Sequence, residues 1–485
     1  MFYPTLEKAR ELSKGNCVVP VAMELFADRK TAIEILRNIR REDNQFYILE
    51  SVSNSDNWSR YTFLGYSPSM VVSGRDGEIK VRRNFETETI HENPVDYLRH
   101  ELCRYKSPKV DQLPPFTGGF VGYFSYDFIK YADPAPVLNT ENKQDFDDFE
   151  LMLIDKVIAI DYFKQKIYLI VNISADNLEE NYINAISALK DMERIIFSNF
   201  SESAEVCHCG EFSSQFSERE YCGAVKSLQH YIKEGDIFQA VLSNNFEAAY
   251  KGTLLEPYRS MRTTNPSPYM AYLHMSDMEI ICASPETLVS LRNGKLSSFP
   301  LAGTRPRSEN EEENAALESD LLSDEKELSE HDMLVDLARN DLGKISRFGS
   351  VKAENLHHVK HYTHVMHISS LVTSEIRPDM DALDAVIAAL PAGTLSGAPK
   401  KRACELIDKI ENSKRGPYGG AIGYIDFTGN ADLCIGIRMA VLKNEKVSVR
   451  TGAGIVYDSI PEKEYKETLH KAKGIMTALT KGTEG

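Results

Sequence analysis

The sequence predicts an α+β fold, in which many strands are mixed with helices around a sizeable core. In the first 200 residues, strand-like apolar runs alternate with short polar turns. After residue 217, helices and strands follow one another without the regular βαβ rhythm that would predict a doubly wound parallel sheet. No internal repeat stands out. The chain has 485 residues, which is enough for about two or three domains or for one large intergrown unit.

The first part of the chain is predicted to be rich in strands. These strands cover residues 45–50, 61–65, 70–73, 118–126, 151–160 and 166–173. Residues 182–197 carry apolar side chains at helical spacing, which predicts a helix. The Ser-rich stretch that follows has no such pattern, so we interpret residues 201–217 as a linker or long loop. The chain then divides into residues 1–200, the linker 201–217, and a second region at 218–485.

The second region mixes helices and strands. Helices are predicted at residues 218–234, 324–340 and 461–480, and strands at 241–248, 269–274, 279–282, 421–427, 433–441 and 446–451. The last helix has a capping residue in Ser459 and a favourable first residue in Pro461. Its apolar residues at spacings of 4, 3 and 4 predict the buried face: Tyr465, Leu469, Ala472 and Met476.

Composition excludes several classes of protein. The net charge of -16 argues against binding to nucleic acid or to an anionic membrane surface. The eight cysteines are scattered, which argues against a disulfide framework. Cys207 and Cys209 flank His208, but two cysteines one residue apart fit a tetrahedral metal site poorly. With no apolar signal segment or run of about 18 apolar residues, we expect a cytoplasmic protein.

Two pairs of glutamates are candidates for a metal site. Glu327 and Glu330 lie three residues apart in one predicted helix, and Glu464 and Glu467 repeat the spacing in another. Positions i and i+3 share a helix face. Two such faces brought together would suit Mg²⁺, which prefers oxygen ligands and keeps several waters. Alternatively, the acidic residues form a solvated face, and Lys471 simply pairs with Glu467.

Several residues are candidates for binding an anion. Arg438 is flanked by small residues within the predicted strand 433–441, so a carboxylate could approach its guanidinium. An internal salt bridge is the alternative. The glycines of the segment 452–454 would let backbone N–H groups approach a ligand closely. Thr394 lies on a glycine-flanked turn, and Tyr418 offers a hydroxyl donor. The segment GTLSGAPK departs from a phosphate-binding P-loop in the spacing of its second glycine and its lysine, so a nucleotide-binding regulator is disfavoured.

A candidate functional side chain follows a predicted strand. Pro285 ends strand pairing and places Glu286 at the strand end, where functional side chains are common. A group of histidines, His361, His364 and His367, follows later in the chain, and nothing in the pattern itself separates a functional histidine from a structural one.

Together these segments resemble the anthranilate synthase large-subunit family of chorismate-utilising enzymes. The resemblance is carried by PAGTLSGAPKKRACELID at 391–408 and RTGAGIVYDSIPEKEYKET at 450–468. It implies a fold of two intergrown regions, with large, mostly antiparallel sheets flanked by helices. It also implies a lyase that uses chorismate, ammonia and Mg²⁺ to form anthranilate and pyruvate.

The resemblance assigns roles residue by residue. Glu286 corresponds to the acid that protonates the leaving hydroxyl, and His367 to the histidine linked to pyruvate elimination. Glu330 and Glu467 correspond to the closer magnesium ligands, while Glu327 and Glu464 act more through water. Substrate-binding positions are Thr394, Tyr418, Arg438, Gly452, Ala453, Gly454, Lys471, Gln239, Ala302, Gly303 and Thr304.

Two of these positions separate members of the family. Isochorismate and salicylate synthases carry a lysine base where this chain has Gln239, so the resemblance favours an amine-adding member. The 4-amino-4-deoxychorismate synthases carry a lysine at the position of Ala302. Both classes remain alternatives to an anthranilate synthase.

The resemblance also implies partners and regulation. No glutaminase motif is recognised in the chain, so ammonia would come from a separate glutamine amidotransferase subunit, in a heterotetramer. Segments at 48–51 and 265–270 match the pocket that binds tryptophan as a feedback inhibitor. The implied inhibitor contacts are Glu50, Ser51, Pro266, Ser267, Pro268, Tyr269, Met270 and Cys434.

Overall fold

A computed structural model describes residues 2–51, 60–84, 86–199, 207–308, 310–362 and 365–481. Its helices are α1 (Leu6–Leu12), α2 (Ala32–Ile39), α3 (Pro94–Arg104), α4 (Leu178–Ile196), α5 (Glu218–Lys233), α6 (Leu255–Thr264), α7 (Glu311–Ser323), α8 (Glu325–Gly343), α9 (Ala382–Ala389), α10 (Lys400–Glu411) and α11 (Pro461–Lys481). Short 3₁₀ turns lie at Tyr126–Tyr131 and Gly393–Leu395.

The strands of the first 200 residues are β1 (Phe2–Tyr3), β2 (Val18–Phe26), β3 (Phe46–Glu50), β4 (Tyr61–Tyr66), β5 (Met70–Arg75), β6 (Glu78–Arg83), β7 (Glu86–His91), β8 (Gly119–Phe124), β9 (Phe149–Ile154), β10 (Lys156–Asp161) and β11 (Lys166–Ser174). Those that follow are β12 (His208–Cys209), β13 (Ser213–Ser214), β14 (Gln239–Lys251), β15 (Tyr269–His274), β16 (Met278–Ser284), β17 (Thr287–Arg292), β18 (Lys295–Ser298), β19 (Leu301–Pro306), β20 (Lys352–His361), β21 (Val365–Glu375), β22 (Gly397–Ala398), β23 (Ala421–Asp426), β24 (Ala431–Ile435), β25 (Met439–Lys443) and β26 (Lys446–Ile455).

Two large antiparallel sheets organise the part of the chain that the structure describes. The larger sheet has fourteen strands, in the order β1-β2-β11-β10-β4-β3-β15-β16-β25-β26-β14-β12, with β13 and β22 also pairing with β14. The smaller sheet has twelve strands, in the order β19-β21-β18-β17-β24-β23-β8-β9-β5-β6-β7, with β20 pairing with β21. Each sheet joins strands from both sides of residue 200, so the predicted α+β fold with two intergrown regions is confirmed. The domain boundaries themselves stay a prediction.

One apolar core lies between the sheets and a second lies outside the larger one. The first contains side chains of both sheets, among them Tyr47, Phe120 and Leu433. The second packs α1, α2, α4, α6 and α11 against the outer face of the larger sheet. In α11, the buried residues are Thr468, Ala472, Ile475, Ala478 and Leu479, whereas Leu469 is 39% exposed. The predicted buried face was therefore wrong at Leu469, because the helix turns Thr468 and Ile475 toward the sheet.

The strand order reads almost the same from both ends, which reveals a duplication that the sequence pattern had hidden. In the larger sheet, β2-β11-β10-β4-β3 mirrors β14-β26-β25-β16-β15. In the smaller sheet, β6-β5-β9-β8 mirrors β18-β17-β24-β23, and Gly122 pairs with Gly423 at the centre. The segments SPSMVVSGRDG at 67–77 and SPETLVSLRNG at 284–294 occupy equivalent positions. The expectation of no internal repeat was therefore wrong.

The chain passes from one sheet to the other at two equivalent pairs of crossovers. One pair joins β4 to β5 and β9 to β10; the other joins β16 to β17 and β24 to β25. Residues 151–160 and 433–441 were each predicted as one strand. Each is in fact two strands in different sheets, because an extended chain keeps its alternation while it changes sheet.

The described part of the linker was also predicted wrongly. Cys207 is buried, and His208 and Ser213 begin short strands that pair with β14. Residues 207–217 therefore extend the edge of the larger sheet through two short strands, although several of their side chains are exposed; residues 200–206 lie outside the described residues. The eight cysteines all lie in the described ranges, and none of them forms a disulfide bond. Within the described ranges, no helix is long and apolar enough to cross a membrane.

Candidate active site

The candidate acid and the candidate carboxylate-binding arginine lie on adjacent crossovers between the sheets. Glu286 lies between β16 and β17, and Arg438 lies between β24 and β25. Two backbone hydrogen bonds link the crossovers. Ile435 N–H donates to the Glu286 carbonyl at 3.1 Å, and Ala283 N–H donates to the Arg438 carbonyl at 3.1 Å. Because both crossover segments change sheet here, the side chains of Glu286 and Arg438 lie at the junction between the sheets and not within a flat sheet face.

The environment of Glu286 favours a protonated carboxyl group. Burial is the largest influence and raises its pKa; Thr394, Arg438 and Lys471 act in the opposite direction. The Thr394 hydroxyl donates to Glu286 Oε2 at 3.0 Å from the 3₁₀ turn Gly393–Leu395. A carboxyl with a raised pKa can hold a proton at neutral pH and release it to a leaving group.

The backbone conformation and burial of Arg438 leave its guanidinium group able to bind an anion. Its backbone is left-handed, with φ of +48°, which turns the side chain away from the direction that a continuous strand would give it. Burial lowers the pKa of the guanidinium, and the nearby charge of Glu286 partly opposes this. Among the described residues, the guanidinium has no hydrogen-bond or ion-pair partner, so the internal salt bridge considered for it is absent there. A buried guanidinium without a partner is a strong site for a carboxylate.

Tyr418 and the glycines of β26 form another wall of the site. A Cβ atom on Gly452 would lie 3.1 Å from the Tyr418 hydroxyl oxygen, whereas one on Gly454 would meet nothing within 4 Å. These glycines share one face of the strand, so that face borders open space beside Tyr418. The strand continues through all three predicted residues, and Ala453 between the glycines is buried on the opposite face.

Lys471 joins this wall to the last helix. Its Nζ donates to the Gly452 carbonyl at 2.9 Å and pairs with Glu467 at 2.6 Å. The i, i+4 pair that the sequence left as an alternative is therefore present. The lysine still lies close enough to Glu286 to influence the pKa of that carboxyl.

Beneath Tyr418 lies a buried charge network that sequence reasoning missed. Arg415 and Arg450 both bind Glu411, at 2.5 Å and 3.3 Å, and all three side chains are almost fully buried. Arg415 also donates to the Leu395 carbonyl at 2.6 Å and lies under the ring of Tyr418. The network therefore ties the turn that carries Thr394 to the tyrosine. Arg415 stands three residues before Tyr418 in the sequence, but nothing in the pattern indicates that it is buried.

His367 is fixed in one tautomer by its neighbours. Its Nδ1 lies 2.9 Å from the Gly303 carbonyl and 3.0 Å from Thr304 Oγ1. Since a carbonyl only accepts, Nδ1 carries the hydrogen and Nε2 has a free lone pair when the ring is neutral. Burial lowers the pKa of the ring, which favours that neutral form. Of the other predicted histidines, His361 binds Glu318 at 3.0 Å, and His364 lies outside the described residues.

A bulge in β19 supplies these partners of His367. The register of β19 on β21 shifts between Ala302 and Thr304, and Gly303 there has φ of +65°. A Cβ atom on Gly303 would approach Ile368 at 3.1 Å. Glycine is therefore needed both for the backbone angle and for the space.

Gln239 is buried at the start of β14 and pairs with the short strand β22, next to the turn of Thr394.

The four candidate magnesium ligands lie on α8 and α11. Packing around Glu330, and then repulsion from Glu327 and Glu467, raises the pKa of its carboxyl. Burial, and then Glu467, raises the pKa of Glu464. The two helices therefore bring their carboxylates close enough to repel one another. In the described ranges, no group of three or more His, Cys, Asp or Glu side chains is close enough to hold an ion.

The predicted inhibitor residues meet where β3 pairs with β15. Met270 is opposite Glu50 in the ladder. Glu50 is buried and accepts two hydrogen bonds from Arg262, at 2.7 Å and 2.9 Å, and a third from Tyr258 at 2.6 Å. Its carboxylate is thus already bound within the protein. The Ser51 hydroxyl is buried without a hydrogen-bond partner in the described structure.

The other wall of this pocket is the segment 266–270. Pro266 and Pro268 flank Ser267, whose hydroxyl donates to the Asn265 carbonyl at 3.2 Å. The Tyr269 hydroxyl donates to Asp432 at 2.8 Å, and its environment includes Cys434. The structure therefore brings both predicted walls and Cys434 to the same seam between the two halves of the larger sheet.

The sequence and the fold match those of known proteins. The family model that describes chorismate binding enzymes matches residues 44–477 of this chain. The chain therefore belongs to the chorismate-binding enzyme family. A protein of Acetivibrio thermocellus named anthranilate synthase component 1 is 42% identical over 100% of both chains. The protein of that name from Aquifex aeolicus is 40% identical over 98% of this chain and 97% of its own. These matches place the chain, within the family, among the anthranilate synthase large subunits, and the name marks these relatives as one component of an enzyme.

Solved structures agree with this placement. Anthranilate synthase component I from Streptococcus pneumoniae TIGR4 is 36% identical, with a TM-score of 0.76 over 88% of this chain and 94% of its own. The menaquinone-specific isochorismate synthase of Escherichia coli shares the fold at 17% identity, with a TM-score of 0.69 over 98% of this chain and 100% of its own.

Proposed function

We propose that the chain forms anthranilate and pyruvate from chorismate and ammonia with the help of Mg²⁺. The observation that carries the proposal is the junction between the sheets. There, a carboxyl with a raised pKa (Glu286) lies near a buried guanidinium (Arg438) that has no partner among the described residues. The substrate is a dicarboxylate that must lose a hydroxyl group, so it needs an anion partner and an acid in one cleft.

In the first step, ammonia attacks the ring carbon next to the carbon that bears the carboxylate. The double bonds shift, the bond from the ring to the hydroxyl breaks, and Glu286 donates its proton so that water leaves. The attacking nitrogen gives up one proton, which restores Glu286 through solvent. Arg438, Tyr418 and the backbone of β26 hold the substrate during this step.

In the second step, the lone pair of His367 Nε2 removes the proton from the ring carbon that bears the new amine. The bond between the ring and the enolpyruvyl oxygen breaks as the ring becomes aromatic. The departing enolpyruvate takes up a proton and becomes pyruvate. The hydrogen bond from Nδ1 to Gly303 keeps the base in the required tautomer.

Glu330 and Glu467 would hold the magnesium ion, and Glu327 and Glu464 would act through water. When bound, the ion supplies a hard cation for a carboxylate of the substrate. The mutual repulsion of these glutamates fits the role, because a cation would relieve it. Two direct protein ligands are also in keeping with an ion that retains several waters. We expect Glu330→Gln to raise the Mg²⁺ concentration needed for half-maximal activity at least tenfold, and Glu325→Gln on the same helix to leave it unchanged.

We include three further points in the proposal. A separate glutamine amidotransferase subunit supplies the ammonia in a heterotetramer, tryptophan binds at the seam of β3 and β15, and the enzyme is cytoplasmic. The Ser51 hydroxyl, which is buried without a hydrogen-bond partner among the described residues, supports the tryptophan pocket, and the eight cysteines, which form no disulfide bond, support the location. L-tryptophan should then raise the melting temperature of the protein, and Ser51→Ala should weaken this shift. D-tryptophan is the control.

Product analysis tests the reaction. The purified chain is incubated with chorismate, an ammonium salt and Mg²⁺ at mildly alkaline pH, and anthranilate fluorescence and pyruvate are followed, with EDTA as the control. We expect equal amounts of the two products, and none with EDTA. A stable aminated product without pyruvate would instead indicate a 4-amino-4-deoxychorismate synthase, the branch that Ala302 disfavours. Isochorismate or salicylate would contradict the interpretation of Gln239.

A further inference from the structure

Tyr362 lies at the edge of the candidate active site and has no role in the mechanism above. It stands between β20 and β21, and its backbone is held on both sides. The Tyr362 N–H donates to the Val365 carbonyl at 2.8 Å, and Arg307 Nη1 donates to the Tyr362 carbonyl at 3.0 Å. The position of the ring is therefore set by the backbone.

The ring of Tyr362 packs against the candidate base. The centroids of the Tyr362 and His367 rings are 5.6 Å apart, and their planes meet at 66°. This edge-to-face geometry is a favoured arrangement of aromatic rings. The contact therefore adds to the Gly303 hydrogen bond in restricting rotation of the imidazole.

The Tyr362 hydroxyl lies close enough to Glu286 and Arg438 for both groups to influence its pKa. Burial, and then the negative charge of Glu286, raises its pKa to about 12, while Arg438 acts in the opposite direction. The phenol therefore stays protonated across the physiological range. Buried tyrosines elsewhere in the chain donate to a carboxylate, as Tyr258 does to Glu50 at 2.6 Å. By contrast, the Tyr362 hydroxyl has no hydrogen-bond partner among the described residues.

We propose that Tyr362 is a further substrate-binding residue, whose hydroxyl donates to an anionic oxygen of the bound substrate beside Arg438 while its ring steadies His367. The inference deepens the proposed function and rests on it. A neutral donor suits this place, because a further cation would lower the pKa of Glu286 and disfavour its protonated form, as Arg438 and Lys471 already do. The phenol adds a directed hydrogen bond without adding charge.

Two variants separate the roles of the hydroxyl and the ring. Tyr362→Phe keeps the ring and removes the donor. We expect the KM for chorismate to rise about tenfold and kcat to change less than about twofold, as for loss of a binding contact shared by ground state and transition state. Tyr362→Leu also removes the ring, so kcat should fall further and the pH profile of kcat should change on the limb that belongs to His367. Tyr457→Phe, at a tyrosine 59% exposed on the surface, is the matched control and should be silent.

Direct titration of chorismate against wild type and Tyr362→Phe, in the presence of Mg²⁺, completes the test. Weaker binding by the variant supports the inference, whatever product the wild-type protein makes. A product other than anthranilate would contradict the proposed reaction and leave the role of Tyr362 in binding intact. Equal affinity and equal KM in the two proteins would overturn the role of the hydroxyl. An unchanged pH profile in Tyr362→Leu would overturn the role of the ring.

Discussion

At the scale of single residues, the site depends on groups whose pKa values are shifted by burial toward the uncharged form. Glu286 is the clearest case, because burial outweighs three groups that favour its charged form. The same crossover in the other half of the molecule carries Ser69 at the equivalent position. The two halves share a backbone path, and only one of them carries an acid at this point.

The raised pKa of Glu286 predicts a limb in the pH dependence of the reaction. The acid acts only when protonated, so kcat/KM with ammonia should fall as the pH rises through its pKa, at a pH above that of an ordinary glutamate. Glu286→Gln should lower kcat roughly 100- to 10,000-fold and remove this limb. Rate measurements over a range of pH, corrected for the fraction of free ammonia, check both points. A Gln variant that keeps the wild-type rate would exclude Glu286 as the acid.

The buried network below Tyr418 predicts a loss of stability. Glu411→Gln would leave two buried guanidinium groups without their shared carboxylate. We expect the free energy of unfolding to fall by about 3–5 kcal/mol, as measured by denaturant titration. Glu405→Gln on the same helix removes a partly exposed partner of Arg402 and should change it by less than about 1 kcal/mol. Equal effects of the two changes would contradict this account.

At the scale of elements, most of the helices and strands were predictable and the crossovers were not. The predicted helix 218–234 and the predicted strand 269–274 agree closely with α5 and β15. Residues 151–160 and 433–441 fail in the same way, because apolar alternation reports an extended chain and not the sheet to which it belongs. Motifs could indicate Glu286 and Arg438. They could not show that neighbouring crossovers would bring the two together, or that Tyr362 and Arg415 would lie nearby.

The glycines of β26 allow a prediction that separates binding from folding. Gly454→Ala adds a methyl group where nothing lies within 4 Å, so the melting temperature should stay within a few degrees of wild type. Because that space borders the Tyr418 face, the KM for chorismate should rise several-fold. Gly303→Ala, by contrast, forces a left-handed residue against Ile368 and should lower both stability and kcat. Thermal melts and steady-state kinetics on both variants distinguish the cases.

At the scale of the whole molecule, the two halves are interleaved and not merely adjacent. The larger sheet pairs β3 with β15 at its centre, and the smaller one pairs β8 with β23. Neither half can complete the core between the sheets by itself. The mirrored strand order could not be predicted from one sequence, because the equivalent segments have diverged except at short stretches such as 67–77 and 284–294.

Division of the chain tests this interleaving. Residues 1–199 and 207–485, each expressed alone, should show no cooperative thermal transition, because each would expose the inner strands of both sheets. Co-expression of the same two fragments should restore a single transition and activity, since the cut falls at a short connection. Circular dichroism during heating provides the measurement. A cooperative melt of either fragment alone would show that it is an independent domain.

The pairing of Gly122 in β8 with Gly423 in β23 also determines when the sheets can be completed during synthesis of the chain. While the ribosome is still making the middle of the protein, β3 and β8 have no partners on their inner edges, and unpaired edges of this kind attract other chains. These edges close only after most of the polypeptide has emerged. Contacts so distant in sequence form slowly. We therefore expect synthesis of this protein to depend more on chaperones than its final stability would suggest.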